Sequence, residues 1–148
     1  IFDLGREMPK LEDSLKSESN KVSGCASQVW LRLETYKKDG VERLSFLGDS
    51  DALIVKGLIA IVGSIYDNMP LSDISNVDPY KMFESLELLG HLSSQRANGL
   101  NSMIKKIQDF PNVQVCWQFK LHLLSKLVEI NRSIVVYWVK LNKKFKIT

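Results

Sequence analysis

Cys25 lies in the run Val22-Ser23-Gly24-Cys25-Ala26-Ser27-Gln28-Val29-Trp30-Leu31, a small-residue loop that delivers one thiol just ahead of an apolar alternation. A core cysteine sits inside an apolar period, its sulfur among other side chains. This one follows a glycine, and the segment before it, Lys16 to Asn20, is mostly polar. A thiol presented this way can attack, be attacked, or carry a sulfur atom. The thiolate is the reacting species, and its fraction depends on local positive charge and exposure. Gly24 admits backbone conformations that other residues resist, so the sulfur can reach into a partner. A carried sulfur also needs shelter, because thiols and persulfides oxidise when exposed. The apolar neighbours Val22, Val29 and Trp30 are the expected lining of that shelter.

Other chemistry-bearing residues are sparser. Asp49 and Asp51 flank Ser50 just before an apolar run, where short polar side chains serve as helix caps more often than as acids or ligands. Lys56 falls inside that run, where its stem can snorkel to the surface. His91 and Arg96 raise the possibility of a Cys-His hydrolase built with Cys25. That chemistry needs a third group to orient the base, and none stands at a persuasive spacing. Cys25, Cys116, His91 and His122 show no metal-ligand spacing, which argues against zinc and iron–sulfur ligation. There is no glycine-rich phosphate loop.

Two further runs, Gly48-Asp49-Ser50-Asp51-Ala52 continuing to Ala60 and Gly90-His91-Leu92-Ser93-Ser94-Gln95-Arg96-Ala97-Asn98-Gly99-Leu100, follow the cysteine run. Together the three blocks closely resemble the SufE family of sulfur acceptors, including its CsdE relatives, over about residues 1–107. The resemblance implies that Cys25 receives persulfide sulfur from a SufS/CsdA-like cysteine desulfurase and delivers it to an iron–sulfur scaffold. The pyridoxal phosphate of that reaction belongs to the desulfurase, so the chain itself is expected to be a cofactor-free carrier and activator, not an enzyme. It further implies that Asp49 and Asp51 help position the cysteine loop, and that His91 and Arg96 meet the desulfurase, Arg96 as a planar, bidentate cation. The chain departs from the family pattern at Ser94-Gln95, where Pro-Ser is usual, and at Ala26, where Gln is common. A Cys-His thiol hydrolase and a degenerate binding module of the same fold are the alternatives.

The elements that must hold these residues follow from periodicity. Ile1, Phe2, Leu4 and Met8 read as the end of an amphipathic helix stopped by Pro9, and the resemblance implies more helix upstream of Ile1. Residues 10–21 are polar and form a loop. Val29, Leu31 and Leu33 alternate with polar residues, Lys38-Asp39-Gly40 turns the chain, and Leu44 and Phe46 alternate in a second strand, which predicts a hairpin. Ser50 or Asp51 is expected to cap a core helix over 52–66. Asp78-Pro79 predicts a helix with proline at its first position, burying Phe83, Leu86 and Leu89. A last helix starts near Ser93 or Ser94 with the stripe Ala97, Leu100, Met103, Ile104 and Ile107, and Phe110-Pro111 is expected to end it. The order predicts an α+β fold, a small antiparallel sheet packed on one side by helices, SufE/NifU-like by resemblance.

The 148 residues suit one domain that buries about two-thirds of its unfolded surface. Hydrophobic residues at 45% and charged residues at 25% are ordinary for a globular chain. Two cysteines exclude a disulfide scaffold and fit a reducing, cytoplasmic setting. Charge is uneven: residues 1–107 carry 13 Lys/Arg against 15 Asp/Glu, and residues 108–148 carry 7 against 2. The first part has no basic stripe of the kind that binds nucleic acid. Residues 108–148 mix lysines with Trp117, Phe119, Tyr137, Trp138 and Phe145, and lie beyond the resemblance. They read as an added covering helix, a segment that touches a membrane or partner, or a poorly ordered tail. The apolar run Ile134–Val139 is too short to span a bilayer, and membrane association is not expected of the sulfur-acceptor domain.

Overall fold

The computed structural model describes the backbone of residues 1–144, and the side chains of residues 1–114 and 120–126. Six principal elements follow in order: α1 (Phe2–Glu7), β1 (Val29–Lys38), β2 (Val41–Ser50), α2 (Leu53–Tyr66), α3 (Tyr80–Ser85) and α4 (Ser94–Lys144). The chain is α+β, and the segment Ile1–Pro111 forms one compact unit while Asn112–Thr148 forms a second.

The hairpin arises from alternation joined to a turn signal. Asp39 and Gly40 both take positive φ, 52° and 80°, the geometry of a two-residue turn whose twist matches that of the flanking strands. Register pairs Val29 with Ser50, Leu31 with Gly48, Leu33 with Phe46 and Thr35 with Leu44. Val29, Leu31, Leu44 and Phe46 therefore share one face and are buried, while β1 beyond Leu33 runs out into solvent. Helix α2 covers that face with Val55, Leu58, Ile59, Ile61 and Val62, and Tyr66 is fully buried at its end. From the far side of the core, α4 contributes Leu100, Met103, Ile104 and Ile107, each no more than 3% exposed.

Several expectations need correction. Neither Ser50 nor Asp51 is the N-cap of α2: that position is Ala52, whose side chain makes no cap, the helix begins at Leu53, and Ser50 Oγ accepts only the Ala52 N–H ahead of it, at 3.2 Å. In α3, Phe83 is buried as expected, but Leu86 and Leu89 are 48% and 39% exposed. The reason is local. Glu87 adopts φ 54°, Leu88 N–H bonds the Phe83 carbonyl and Glu87 N–H bonds that of Glu84, a Schellman-type stop after less than two turns. That reversal turns Leu88, not Leu86 or Leu89, toward the core. Pro79 occupies the N-cap position of α3, and the Asp78 carboxylate accepts the Tyr80 N–H at 3.1 Å.

The largest departure lies at Pro111. The helix does not stop at Phe110; α4 carries Pro111 inside it and continues to Lys144. Proline removes one N–H and crowds the preceding turn, an effect of about 3 kcal/mol that a long ladder on either side can absorb. The expectations placed on Cys116, Trp117, Phe119, Tyr137, Trp138 and Phe145 lie outside the described side chains. Among the described residues, no helix is long and apolar enough to cross a membrane.

Candidate functional site

Cys25 stands on a loop with a hydrogen-bonded base. Val22 N–H donates to the Val29 carbonyl at 2.9 Å and Leu31 N–H to the Asn20 carbonyl at 2.7 Å, so residues 23–28 protrude from a closed neck. Gly24 has φ 83°, a conformation that strains any L side chain, and this sets the approach of the chain to Cys25. On the exit side, the Asp51 carboxylate accepts the Gln28 N–H at 3.0 Å, while Ser50 Oγ donates to the Gln28 carbonyl at 2.7 Å. The residues expected to cap α2 instead pin the exit of the cysteine loop to the end of β2.

The sulfur itself is turned inward. Cys25 is a half-buried free cysteine whose S–H points to the Gly99 carbonyl of α4 at 3.7 Å. The shelter is built from two helices: Val55 and Leu58 of α2 and Gln95, Arg96, Leu100 and Met103 of α4 surround the thiol, in place of the expected Val22, Val29 and Trp30. Val22 and Val29 belong to the core, and the Trp30 ring lies beneath Lys16 Nζ, 5.7 Å from its centroid. The free recess is about 20 Å³, room for about one water-sized group beyond the thiol. Burial pushes the Cys25 thiol above its ordinary pKa, which favours the protonated form while the sulfur sits in the recess.

Asp49 has a different task from Asp51. It is 2% exposed and ion-paired to Lys56 Nζ at 2.8 Å and Lys16 Nζ at 3.3 Å. It also accepts the N–H groups of Leu11 and Ser50. Burial by itself raises the pKa of Asp49, but the hydrogen bonds from Lys56, Ser50 and Lys16 outweigh burial and hold it below the ordinary carboxylate range. Lys56 thus reaches a buried carboxylate instead of snorkelling outward. The cluster fastens residues 11–16, the approach to the cysteine loop, to β2 and α2.

Arg96 is exposed and borders the Cys25 recess, where its guanidinium is open to a partner. His91 ends the short turn Leu89–His91, is exposed, and does not line the recess. The structure therefore brings Cys25, Arg96 and, through Gln28, Asp51 to one place, and leaves His91 and Asp49 outside it.

Sequence reasoning missed three contributors. Gly99 permits the approach of the thiol: a Cβ there lies 3.3 Å from Cys25 Sγ. Gln95 lines the recess one residue before Arg96. Lys106 donates to the carbonyls of Ser19 and Lys21 just before the loop. Gly99, within the Gly90–Leu100 block, carried a signal, a glycine inside a helical apolar pattern; Lys106 carried none. Among the described residues, no three His, Cys, Asp or Glu side chains gather as a metal site would require.

Comparison with known proteins matches residues 1–110 to the family described as "SufE: Fe-S metabolism associated domain". The chain is similar to an uncharacterised SufE-like protein of Rhizobium etli, 44% identical over 114 residues that cover 77% of each chain. It is likewise 44% identical over 108 residues to an uncharacterised SufE-like protein of Rhizobium meliloti, covering 73% of this chain and 77% of the relative.

Proposed function

The chain belongs to the SufE family of iron–sulfur metabolism, and on that premise we propose that it accepts sulfur on Cys25 from a pyridoxal-phosphate-dependent cysteine desulfurase and passes it to an iron–sulfur scaffold. One observation carries the reading: a loop led by Gly24 at positive φ parks the Cys25 sulfur against α4 in a recess with room for one more atom. A core cysteine needs neither a protruding loop nor a hydrogen-bonded neck.

The transfer balances as thiol–persulfide exchange. Cys25 leaves the recess, gives up its proton, and its thiolate attacks the terminal sulfur of the desulfurase persulfide. The S–S bond of the donor breaks, the desulfurase cysteine departs as thiolate, and Cys25 keeps the sulfane sulfur as a persulfide. Nothing is oxidised or reduced overall. Return to the recess then hides the loaded sulfur from oxidants and stray thiols. Regeneration of the desulfurase for another turnover makes the chain an activator, and the pyridoxal phosphate stays with the enzyme. Arg96, beside the recess, supplies the cation that a partner carboxylate can grip in bidentate fashion. A reducing cytoplasm suits a carrier that works through a free thiol.

A Cys-His hydrolase finds little support in the geometry, since His91 is not among the residues around Cys25. The test is turnover of a purified cysteine desulfurase with and without the chain. Stimulation that vanishes with Cys25→Ala is expected; equal stimulation by both forms would exclude a carrier role.

A further inference from the structure

Lys106 is a half-buried lysine on α4 whose ammonium faces backbone instead of a carboxylate. Its Nζ donates to the Ser19 carbonyl at 3.0 Å and to the Lys21 carbonyl at 2.9 Å. An ammonium has three donors, and charge-assisted bonds of this length are roughly twice as strong as neutral ones. The intervening Asn20 carbonyl points the other way and accepts Leu31 N–H of β1. Residues 19–21 are therefore held on both sides, by the sheet and by α4, immediately before the neck at Val22.

The same helix face meets the rest of the loop. Lys106 and Gly99 are about two turns apart and so lie on one side of α4. Gly99 receives Cys25, and between them Ser102 Oγ lies 3.0 Å from the position of a Cβ on Gly24. One stripe of α4 thus supports the chain from Ser19 to Cys25. Lys106 brings a hydrogen-bonded charge to that stripe, and burial lowers the pKa of its ammonium.

We infer that Lys106 is a positioning residue for the sulfur-carrying thiol: bound to the Ser19 and Lys21 carbonyls, it latches the cysteine loop onto α4 and sets how readily Cys25 leaves its recess. The inference rests on the sulfur-acceptor reading for its purpose, but its geometry can be tested without a desulfurase. A carrier must open to a partner and close over its cargo, and a latch that holds the approach segment, without touching the thiol, governs that balance while leaving the sulfur chemistry unchanged.

The test compares the full chain with Lys106→Met, Lys106→Arg and the exposed-neighbour control Lys105→Met, reading alkylation of Cys25 by iodoacetamide through peptide-resolved mass spectrometry. Lys106→Met should speed Cys25 alkylation about tenfold, as expected for loss of a hydrogen bond to a charged group. Lys106→Arg should restore most of the protection, and Lys105→Met should match the native chain. If Lys106→Met fails to fold, Lys106→Gln, which keeps a donor without the charge, should give an intermediate rate. An unchanged Cys25 rate in a folded Met or Gln variant, or no rescue by arginine, overturns the latch. Loading by a desulfurase is scored separately: a native chain that takes up no sulfur refutes the acceptor reading, while the alkylation series still decides whether Lys106 latches the loop.

Discussion

Cys25 Sγ and the Gly99 carbonyl oxygen face each other at 3.7 Å, from positions 74 residues apart in the chain. That contact sets the proposed sulfur-carrying thiol against a buried residue of α4. It also explains why position 99 is glycine, since any side chain there meets the thiol.

Gly99→Val should therefore expel Cys25 from its recess. The valine methyl groups occupy the space into which Sγ is turned, because even the Cβ lies 3.3 Å from it. Alkylation of Cys25 should accelerate about fivefold or more, on the scale of about 1 kcal/mol. The melting temperature should move by only ~2–4 °C, because the strain falls on a loop that can swing out. Unchanged alkylation together with a large melting loss would mean that Gly99 serves helix packing and not the thiol.

The pH profile of the same reaction has a definite sign. Burial raises the Cys25 pKa in the folded chain, so the midpoint of its alkylation profile should lie above the ordinary thiol value of about 8.5 and return toward it in denaturant. Stability linked to this group is full below the unfolded pKa and is lost as pH rises through the folded one. Cys25→Ser should flatten that alkaline loss, which denaturant titrations at pH 7 and 10 measure.

Asp49 acts at the opposite end of the scale. Its folded pKa is depressed by Lys56, Ser50 and Lys16 despite burial, so its contribution is present above the unfolded value and lost as pH falls through the folded one. Asp49→Asn should destabilise the chain by about 3 kcal/mol at neutral pH, as removal of one partner from a buried pair does. The difference from the native chain should shrink below about pH 4. A constant difference across that range would place the defect in packing, not charge.

Arg96→Ala should separate partner binding from folding. The side chain is exposed, and substitutions at such positions typically stay within about 0.5 kcal/mol of native stability. Loss of a charge-assisted contact to a desulfurase should weaken binding by ~1.5–3 kcal/mol, about tenfold or more. A titration of desulfurase stimulation and a melting curve together decide the matter: unchanged affinity with lost stability contradicts the interface role.

How much of this was legible in the sequence depended on whether the information was local. The hairpin was, because alternation and Asp39-Gly40 both act within a few residues. So were the span of α2, the start of α4, and the loop that carries Cys25. The pinning of Gln28 was legible only through the family resemblance, which set Asp51 beside the cysteine loop; from the residues alone a cap and a tether use the same side chains, and only the tertiary approach chooses between them. Lys56 was misread for a similar reason: its partner, Asp49, is on the preceding strand, outside any helical spacing. The walls of the recess come from α2 and α4, which no local pattern around Cys25 reveals. Pro111 shows the limit of breaker rules, since one lost N–H does not end a helix that continues for many turns.

Whether Cys25 carries the sulfur is decided by intact-mass analysis after incubation with a cysteine desulfurase and cysteine. Serine is nearly isosteric with cysteine, so Cys25→Ser should fold as the native chain does and yet gain nothing, while the native chain gains the mass of one sulfur atom that peptide mapping assigns to Cys25. Cys116→Ser should load as the native chain does. A sulfur atom taken up by Cys25→Ser, or mapped to any other residue of the native chain, would rule out Cys25 as the carrier.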